Sequence, residues 1–403
     1  MEIEAARDQF PALKEKTFLD AACISLAPRV ATEAISQFLD MTLQCPERSA
    51  TLHHIAMDEA RDTARSEVAR LINADEDEIA LVESTSHGLG LAAQAVPLAA
   101  GDRVLLCDLE FMEVAVPWCQ LQRRRGICID VAPNRDGEVR IEDIAERITT
   151  KTRVVAISTV QWSNGFRCDL AALSSLCRER NVWLVADAVQ QLGAIPLDVR
   201  QTPIDFLACG GHKWLNAPFG AGFLYIRREA LPKLQPSLAG YLSVEPPKGG
   251  WGEYFQTPSI TPVAEYRFTE QARRYEIGGT ANYPGAVGLA ASLRLIQQLG
   301  ASRIEKHIYR LTDYLISGLQ TLGVKLVTPA EHKYRSGIIT FCVGSAAANM
   351  ELMEQLLEHR ILVSVRYTSQ VGGVRVSCHF YNNIEDLDRL LERVKAALRR
   401  GPS

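Results

Sequence analysis

No stretch of the 403 residues stays apolar for the length a bilayer crossing needs. The opening Met1-Glu2-Ile3-Glu4 is acidic and has no apolar core, so a secretory signal is not expected. Neither sign of charge is in excess. The net charge of -4 and pI of about 6.1 give no electrostatic reason to expect nucleic acid or a membrane surface as partner. The ten cysteines include no pair at the two-residue spacing of zinc or redox dithiols, and reduced thiols in a cytoplasmic protein are the simplest account. His53-His54 reads as a solvated or substrate-facing helix start rather than a metal site. Internal repeats and low-complexity tracts are also missing.

What is present is a core. With 47% hydrophobic residues, a chain of this length divides into two domains, one larger than the other. Segments 79–82, 104–107, 127–131, 153–158 and 183–186 read as buried strands, and helical spacing falls between them at 89–96, 114–122 and 170–180. That alternation predicts an α/β domain on a mostly parallel sheet, preceded by helices at 31–43 and 50–72. Later helical stretches at 286–299 and 304–322, strands at 338–343, 361–366 and 374–378, and a closing helix at 384–398 predict a smaller α+β domain. The expected division is 19–281 for the large domain and 282–403 for the small one, with 1–18 packing near the latter. Segment 240–270, rich in Pro, Gly and aromatics, is long enough to imply a role, either lining a substrate entrance or forming a subunit contact.

In an open parallel sheet, ligands bind at the carboxyl edge of the strands, and the chemistry-bearing residues fall there. The run Gly210-Gly211-His212-Lys213-Trp214 sets a lysine among glycines and a tryptophan, a close-packed setting rather than a solvated turn. Burial lowers a lysine's pKa, and a neutral amine attacks an aldehyde to form a Schiff base; pyridoxal phosphate supplies such an aldehyde. Asp187 follows four apolar strand residues, where a carboxylate needs a cationic partner such as a pyridinium nitrogen. Gln190 is placed to donate to the ring oxygen, although Asp187 also fits a helix cap. The turn Glu83-Ser84-Thr85-Ser86-His87-Gly88 between strand and helix offers free amides and hydroxyls to a phosphate, or an ordinary Ser/Thr cap.

Asp187, Gln190 and His212-Lys213, in that order and spacing, resemble the fold-type I pyridoxal phosphate enzymes of aminotransferase class V. This group includes cysteine desulfurases, cystine lyases and isopenicillin N epimerases. Tyr275-Glu276-Ile277-Gly278-Gly279-Thr280 and Arg375-Val376-Ser377, followed by Tyr381-Asn382, are similar to its later motifs. The resemblance implies that Lys213 carries the cofactor and that Thr85, Ser86 and His212 hold its phosphate. It further implies a homodimer in which Thr280 reaches across the interface, Phe111 as the ring stacked on the cofactor face, and Arg375 as the clamp on a substrate carboxylate. Gly210 stands where the family often has a phosphate-binding serine.

Departures from the desulfurase pattern narrow the reaction. Residues 366–374, before Arg375, contain no cysteine; Phe111 replaces the desulfurase histidine; and Trp162, three residues before Gly165, is similar to cystine lyase and would face the substrate. Obligatory persulfide chemistry is therefore not expected, and Cys378 is the cysteine to watch. The leading expectation is β-elimination at a carbon-sulfur bond of a cysteine- or cystine-like amino acid. A class V aminotransferase or amino-acid epimerase comes second, with a cysteine desulfurase or a non-catalytic cofactor-binding protein behind them.

Overall fold

The computed structural model describes residues 2–277, 279–329 and 331–400. Seven strands form the main sheet: β2 (Ile79–Val82), β3 (Arg103–Cys107), β4 (Cys128–Ala132), β5 (Thr152–Ser158), β6 (Trp183–Asp187), β7 (Phe206–Gly210) and β8 (Gly222–Ile226). Their order is β2-β8-β7-β6-β5-β3-β4, with β8 antiparallel to both of its neighbours and the rest of the ladder parallel. Side chains alternate between two cores. Leu105, Ile157, Leu184 and Leu207 face one layer of helices, while Val104, Ala156, Val185 and Phe206 face the other. Both faces are covered, so the central strands are apolar along most of their length, with polar residues at their ends and on edge strand β4.

Strand β7 has no counterpart in the sequence reading. Its residues, Phe-Leu-Ala-Cys-Gly, are short and lack β-branching, yet all five are buried between β6 and β8. The β5/β6/β7 register sets Ser158, Asp187 and Ala208 abreast at the carboxyl edge.

A second sheet of four antiparallel strands has the order β12 (Ser364–Thr368), β13 (Val371–Ser377), β10 (Ile338–Cys342) and β9 (Lys325–Leu326). The stretch expected as one strand over 361–366 divides at Val363. Its first part, β11 (Ile361–Leu362), pairs in parallel with β1 (Thr17–Phe18) near the amino terminus. Arg7 bonds the Tyr381 carbonyl and Asp386, so residues before 18 lie against carboxyl-terminal elements. The helix Tyr283–Leu299, which a boundary at 282 puts in the small domain, packs its Leu289, Leu293 and Ile296 into the main core beside helices Arg29–Gln44 and Ala50–Ile72. The next helix, Ala301–Thr321, keeps Ile304, Ile308 and Tyr309 in that core and turns Leu311, Leu315 and Leu319 to the core of the four-stranded sheet, so the change of partner falls within it. No helix among the described residues is long and apolar enough to cross a membrane.

One buried ion cluster fixes the approach to that helix. Glu276 is 2% exposed; Arg61 reaches it at 2.7 Å, Arg65 at 2.5 Å, and the Leu81 amide of β2 at 3.0 Å. Burial alone would raise its pKa, but the two guanidinium groups hold it at about 2. A carboxyl group held below its unfolded pKa of 4.5 stabilises the fold above that value, and the contribution is lost as pH falls towards 2. Glu276→Gln leaves two buried cations with only the more exposed Asp62 as anion and should cost about 3 kcal/mol at neutral pH. In urea unfolding the deficit should shrink on acidification; a deficit independent of pH would contradict this account.

Candidate active site

Strand β7 delivers Lys213 to the carboxyl edge through a turn whose glycines are tightly packed. A Cβ on Gly210 would stand 2.9 Å from Thr85 Oγ1 and 3.0 Å from His212 Nδ1, while the Gly210 amide donates to Thr85 Oγ1 at 2.8 Å. The place of the family's serine is thus filled by the Thr85 and His212 side chains. Trp214, fully buried, anchors the turn: its indole donates to Gln190 Oε1 at 2.9 Å and stacks on His379 with centroids 5.3 Å apart. The Ser25 amide donates to the His212 carbonyl, which ties the segment after β1 to the lysine turn.

Lys213 is partly buried, and loss of water pulls its amine below the usual lysine range. Asp187 opposes that pull and Arg375 adds to it. Asp187 is 3% exposed; burial raises it to about 6 against the opposing effects of the Val189 amide and Lys213. Gln190 lies beside them, but its side chain already serves the scaffold. Its carbonyl takes the Trp214 indole and one amide hydrogen goes to the Ala22 carbonyl at 2.9 Å, so one hydrogen remains for a ligand.

Thr85 is buried at the first position of helix Thr85–Ala95, and Ser86 is exposed beside it. The cap is Ser84, whose hydroxyl accepts from the His87 amide at 3.1 Å, leaving both predicted residues available to a ligand at the helix amino end. His212 stacks on Phe219 at 5.5 Å, and burial holds its imidazole at about 4, hence neutral at physiological pH. Thr280 is exposed on the segment before helix Tyr283–Leu299, apart from these groups in sequence; Gly278 lies outside the described residues.

Lys213 Nζ lies 5.9 Å from the centroid of Phe111, and Phe111 meets Trp162 edge-on at 5.2 Å. Arg375, 1% exposed on β13, bonds the Trp162 carbonyl at 2.9 Å and Asp20 at 3.1 Å. The guanidinium expected to clamp a substrate thus already has an internal carboxylate. Its Nε and the Trp162 indole nitrogen are buried without partners among the described residues, so donors remain for an incoming anion. A depressed amine, a buried acid, a helix amino end with hydroxyls and an aromatic ring together suit a phosphorylated pyridine aldehyde.

One half-buried carboxylate at this edge escaped the sequence reading. Glu110 accepts from the Ser158 amide at 2.9 Å and from Gln161 at 2.9 Å, and burial raises its pKa despite these bonds. Its position directly before Phe111, after a strand end, was the available signal.

The aminotransferase class-V family model matches residues 17–390. A probable cysteine desulfurase of Pyrococcus abyssi is 28% identical over 400 residues, covering 96% of each chain. Among solved structures, a cysteine desulfurase of Thermococcus onnurineus NA1 superposes with a TM-score of 0.85 at 26% identity, covering 98% of both chains. A cystine C-S lyase in complex with its product cysteine persulfide superposes with a TM-score of 0.84 at 25% identity, covering 96% of this chain and 99% of the other.

The raised pKa of Asp187 gives a test. An acid that rises from 3.8 to about 6 on folding stabilises the fold below 3.8, and that stability is lost as pH rises through 6, a difference of about 3 kcal/mol. In cofactor-free protein, Asp187→Asn should therefore be more stabilising relative to wild type at about pH 8 than at about pH 4. Denaturant titrations at both values check the sign; an equal difference at both would count against a buried, strained acid.

Proposed function

The chain belongs to the aminotransferase class-V family, and on that premise we propose that it is a pyridoxal phosphate-dependent enzyme that breaks a carbon-sulfur bond in a cysteine- or cystine-like amino acid. Lys213 would carry the cofactor, with Asp187 at the ring nitrogen, the free Gln190 hydrogen at the ring oxygen and Phe111 against the ring face. Thr85, Ser86 and His212 would hold the phosphate, and Thr280 would complete that site from the partner subunit of a homodimer. When bound, pyridoxal phosphate supplies an electron sink for bonds broken at Cα and Cβ of an amino acid.

The chain's own groups do the rest. The depressed Lys213 amine is suited to take a proton from Cα, because less free energy is needed to hold it uncharged than for a lysine in water. Asp187, raised to about 6, is still mainly ionised at neutral pH and can keep a proton on the ring nitrogen it faces. Arg375 orients the substrate carboxylate through the donors that Asp20 and Trp162 leave free.

The observation that carries the sulfur reading is the Phe111–Trp162 pair. It places aromatic surface between the Lys213 amine and the guanidinium bonded to the Trp162 carbonyl, and such surface favours a thioether or disulfide side chain over an acidic one. Cys378 is fully buried and its thiol is pushed up by burial, which suits a packing role rather than a nucleophile.

Cystine should yield pyruvate and ammonia without an added keto acid. Product only in the presence of a keto acid would assign an aminotransferase, and loss of optical purity without product an epimerase. Borohydride reduction and peptide mapping should find the cofactor on Lys213, and Lys213→Ala should abolish that label. Arg375→Ala should lower kcat/KM by roughly tenfold to a hundredfold, the worth of a charge-assisted contact of about 1.5–3 kcal/mol.

A further inference from the structure

The two aromatic rings of the proposed site are each preceded by a polar residue, and those two residues are bonded to each other. Glu110 comes directly before Phe111, and Gln161 directly before Trp162. The Gln161 side-chain amide donates to Glu110 Oε1 at 2.9 Å, one residue behind the edge-on contact of the rings at 5.2 Å. This bond crosses a gap in the sheet. Pairing between β3 and β5 stops at Leu105 and Val155, and beyond them the two strand ends have no ladder between them. The Glu110 carboxylate takes the ladder's place: it accepts from the Ser158 amide at 2.9 Å, from the Ser158 hydroxyl and from the Cys107 thiol at 3.0 Å. Gln161 is fully buried, and the bonds its side chain makes go to the β3 side, to Glu110 and, at 3.4 Å, to the Cys107 sulfur. Its Oε1 has no partner among the described residues. The Trp162 carbonyl accepts from Arg375 at 2.9 Å, so a displaced turn carries the indole ring and the guanidinium's anchor with it.

We propose that Glu110 is a positioning residue for substrate selection: through Gln161 it sets the Phe111–Trp162 pair at the spacing that admits a sulfur-bearing side chain and holds Phe111 to the face of the cofactor ring. The inference rests on the carbon-sulfur lyase reading, and it gives Glu110 no contact with substrate or cofactor. A carboxylate suits the task because both of its oxygens accept, and it faces four donors here. Glutamine can replace it. Its carbonyl serves Ser158, and its amide donates to the unpartnered Gln161 Oε1 once that amide turns over. A carboxylate that only supported the fold would alter stability and leave the preference between substrates untouched.

Three variants separate this brace from the fold. Glu110→Ala removes every bond of the carboxylate, Glu110→Gln keeps its reach, and Gln161→Met removes the link across the gap while leaving the Ser158 bonds, so it carries the test should Glu110→Ala fail to fold. Holoenzyme is assayed with cystine and with β-chloroalanine, which has a leaving group but no second sulfur-bearing half. In Glu110→Ala and Gln161→Met, kcat/KM for cystine should fall by roughly tenfold or more, mainly through KM, and that for β-chloroalanine several-fold less. Glu110→Gln should stay near wild type on both. A second measurement needs no turnover: cofactor-free protein is titrated with pyridoxal phosphate, and the visible circular dichroism of the bound cofactor is recorded. Glu110→Ala and Gln161→Met should bind it several-fold more weakly with altered ellipticity, and Glu110→Gln should restore both. These cofactor changes in a protein whose wild type turns over neither substrate would uphold the brace and overturn the lyase reading. Equal losses on the two substrates, a Gln161→Met protein that matches wild type in both measurements, or a Glu110→Gln protein as impaired as Glu110→Ala would overturn the brace.

Discussion

Keeping an amine and a carboxylic acid out of water at the same strand edge is the constraint on which the rest of this structure depends. Burial pushes Lys213 down and Asp187 up, and each partly offsets the other's cost by attraction. The parallel pairing of β6 with β7 brings their elements together, since Asp187 pairs with Ala208 and the chain needs only a short turn from there to Lys213. Glycine at 222 matters for the same reason. A Cβ there would stand 2.6 Å from the Cys209 carbonyl and 2.9 Å from the Gly210 Cα, forcing the strand end and the lysine turn apart.

Arg375 raises the same difficulty in a second element. A guanidinium at 1% exposure needs compensation before any substrate arrives, and Asp20 supplies it. Four successive carbonyls of the turn after β5 then hold the four-stranded sheet against the seven-stranded one. Trp162 accepts from Arg375, Ser163 from Thr340, Asn164 from Thr328 and Gly165 from Ser336. Gly165 has a φ of +74°, and a Cβ there would lie 2.2 Å from the Ile338 carbonyl, so the close approach of the turn to β10 requires glycine. The turn that carries Trp162, proposed to face the substrate, is thus also the one that attaches the four-stranded sheet.

The sequence made legible whatever depends on local pattern. The strand 79–82 and the helix 50–72 match the structure residue for residue, and the strand 183–186 put Asp187 at its carboxyl end, whereas the strand that delivers Lys213 beside it went unread. What it concealed depends on partners distant in the chain. Gln190 reads as a ligand donor until Trp214 and Ala22 take most of its capacity. Arg375 reads as free for a substrate until Asp20, 355 positions away, occupies one of its faces. The helix Tyr283–Leu299 reads as the start of a new domain because its spacing shows an apolar face but not what covers it. Cys378, adjacent in sequence to the arginine motif, lies in the core.

Charge economy ties these parts to the proposed chemistry. His212 precedes Lys213, and a proton on either resists a proton on the other. Burial resolves the conflict by holding the imidazole at about 4, so in the proposed site His212 would meet a phosphate as a neutral donor and leave the compensation of its charge mainly to the amino end of helix Thr85–Ala95. A cationic imidazole would have bound phosphate more strongly and depressed the neighbouring amine further. With His212 neutral, and with Asp187 at the ring nitrogen and Arg375 on carboxylates as proposed, Lys213 would be the group in this arrangement whose proton can move at Cα. The proposed elimination would then require only that the β-substituent leave into surroundings that tolerate sulfur, which the Phe111–Trp162 pair would provide.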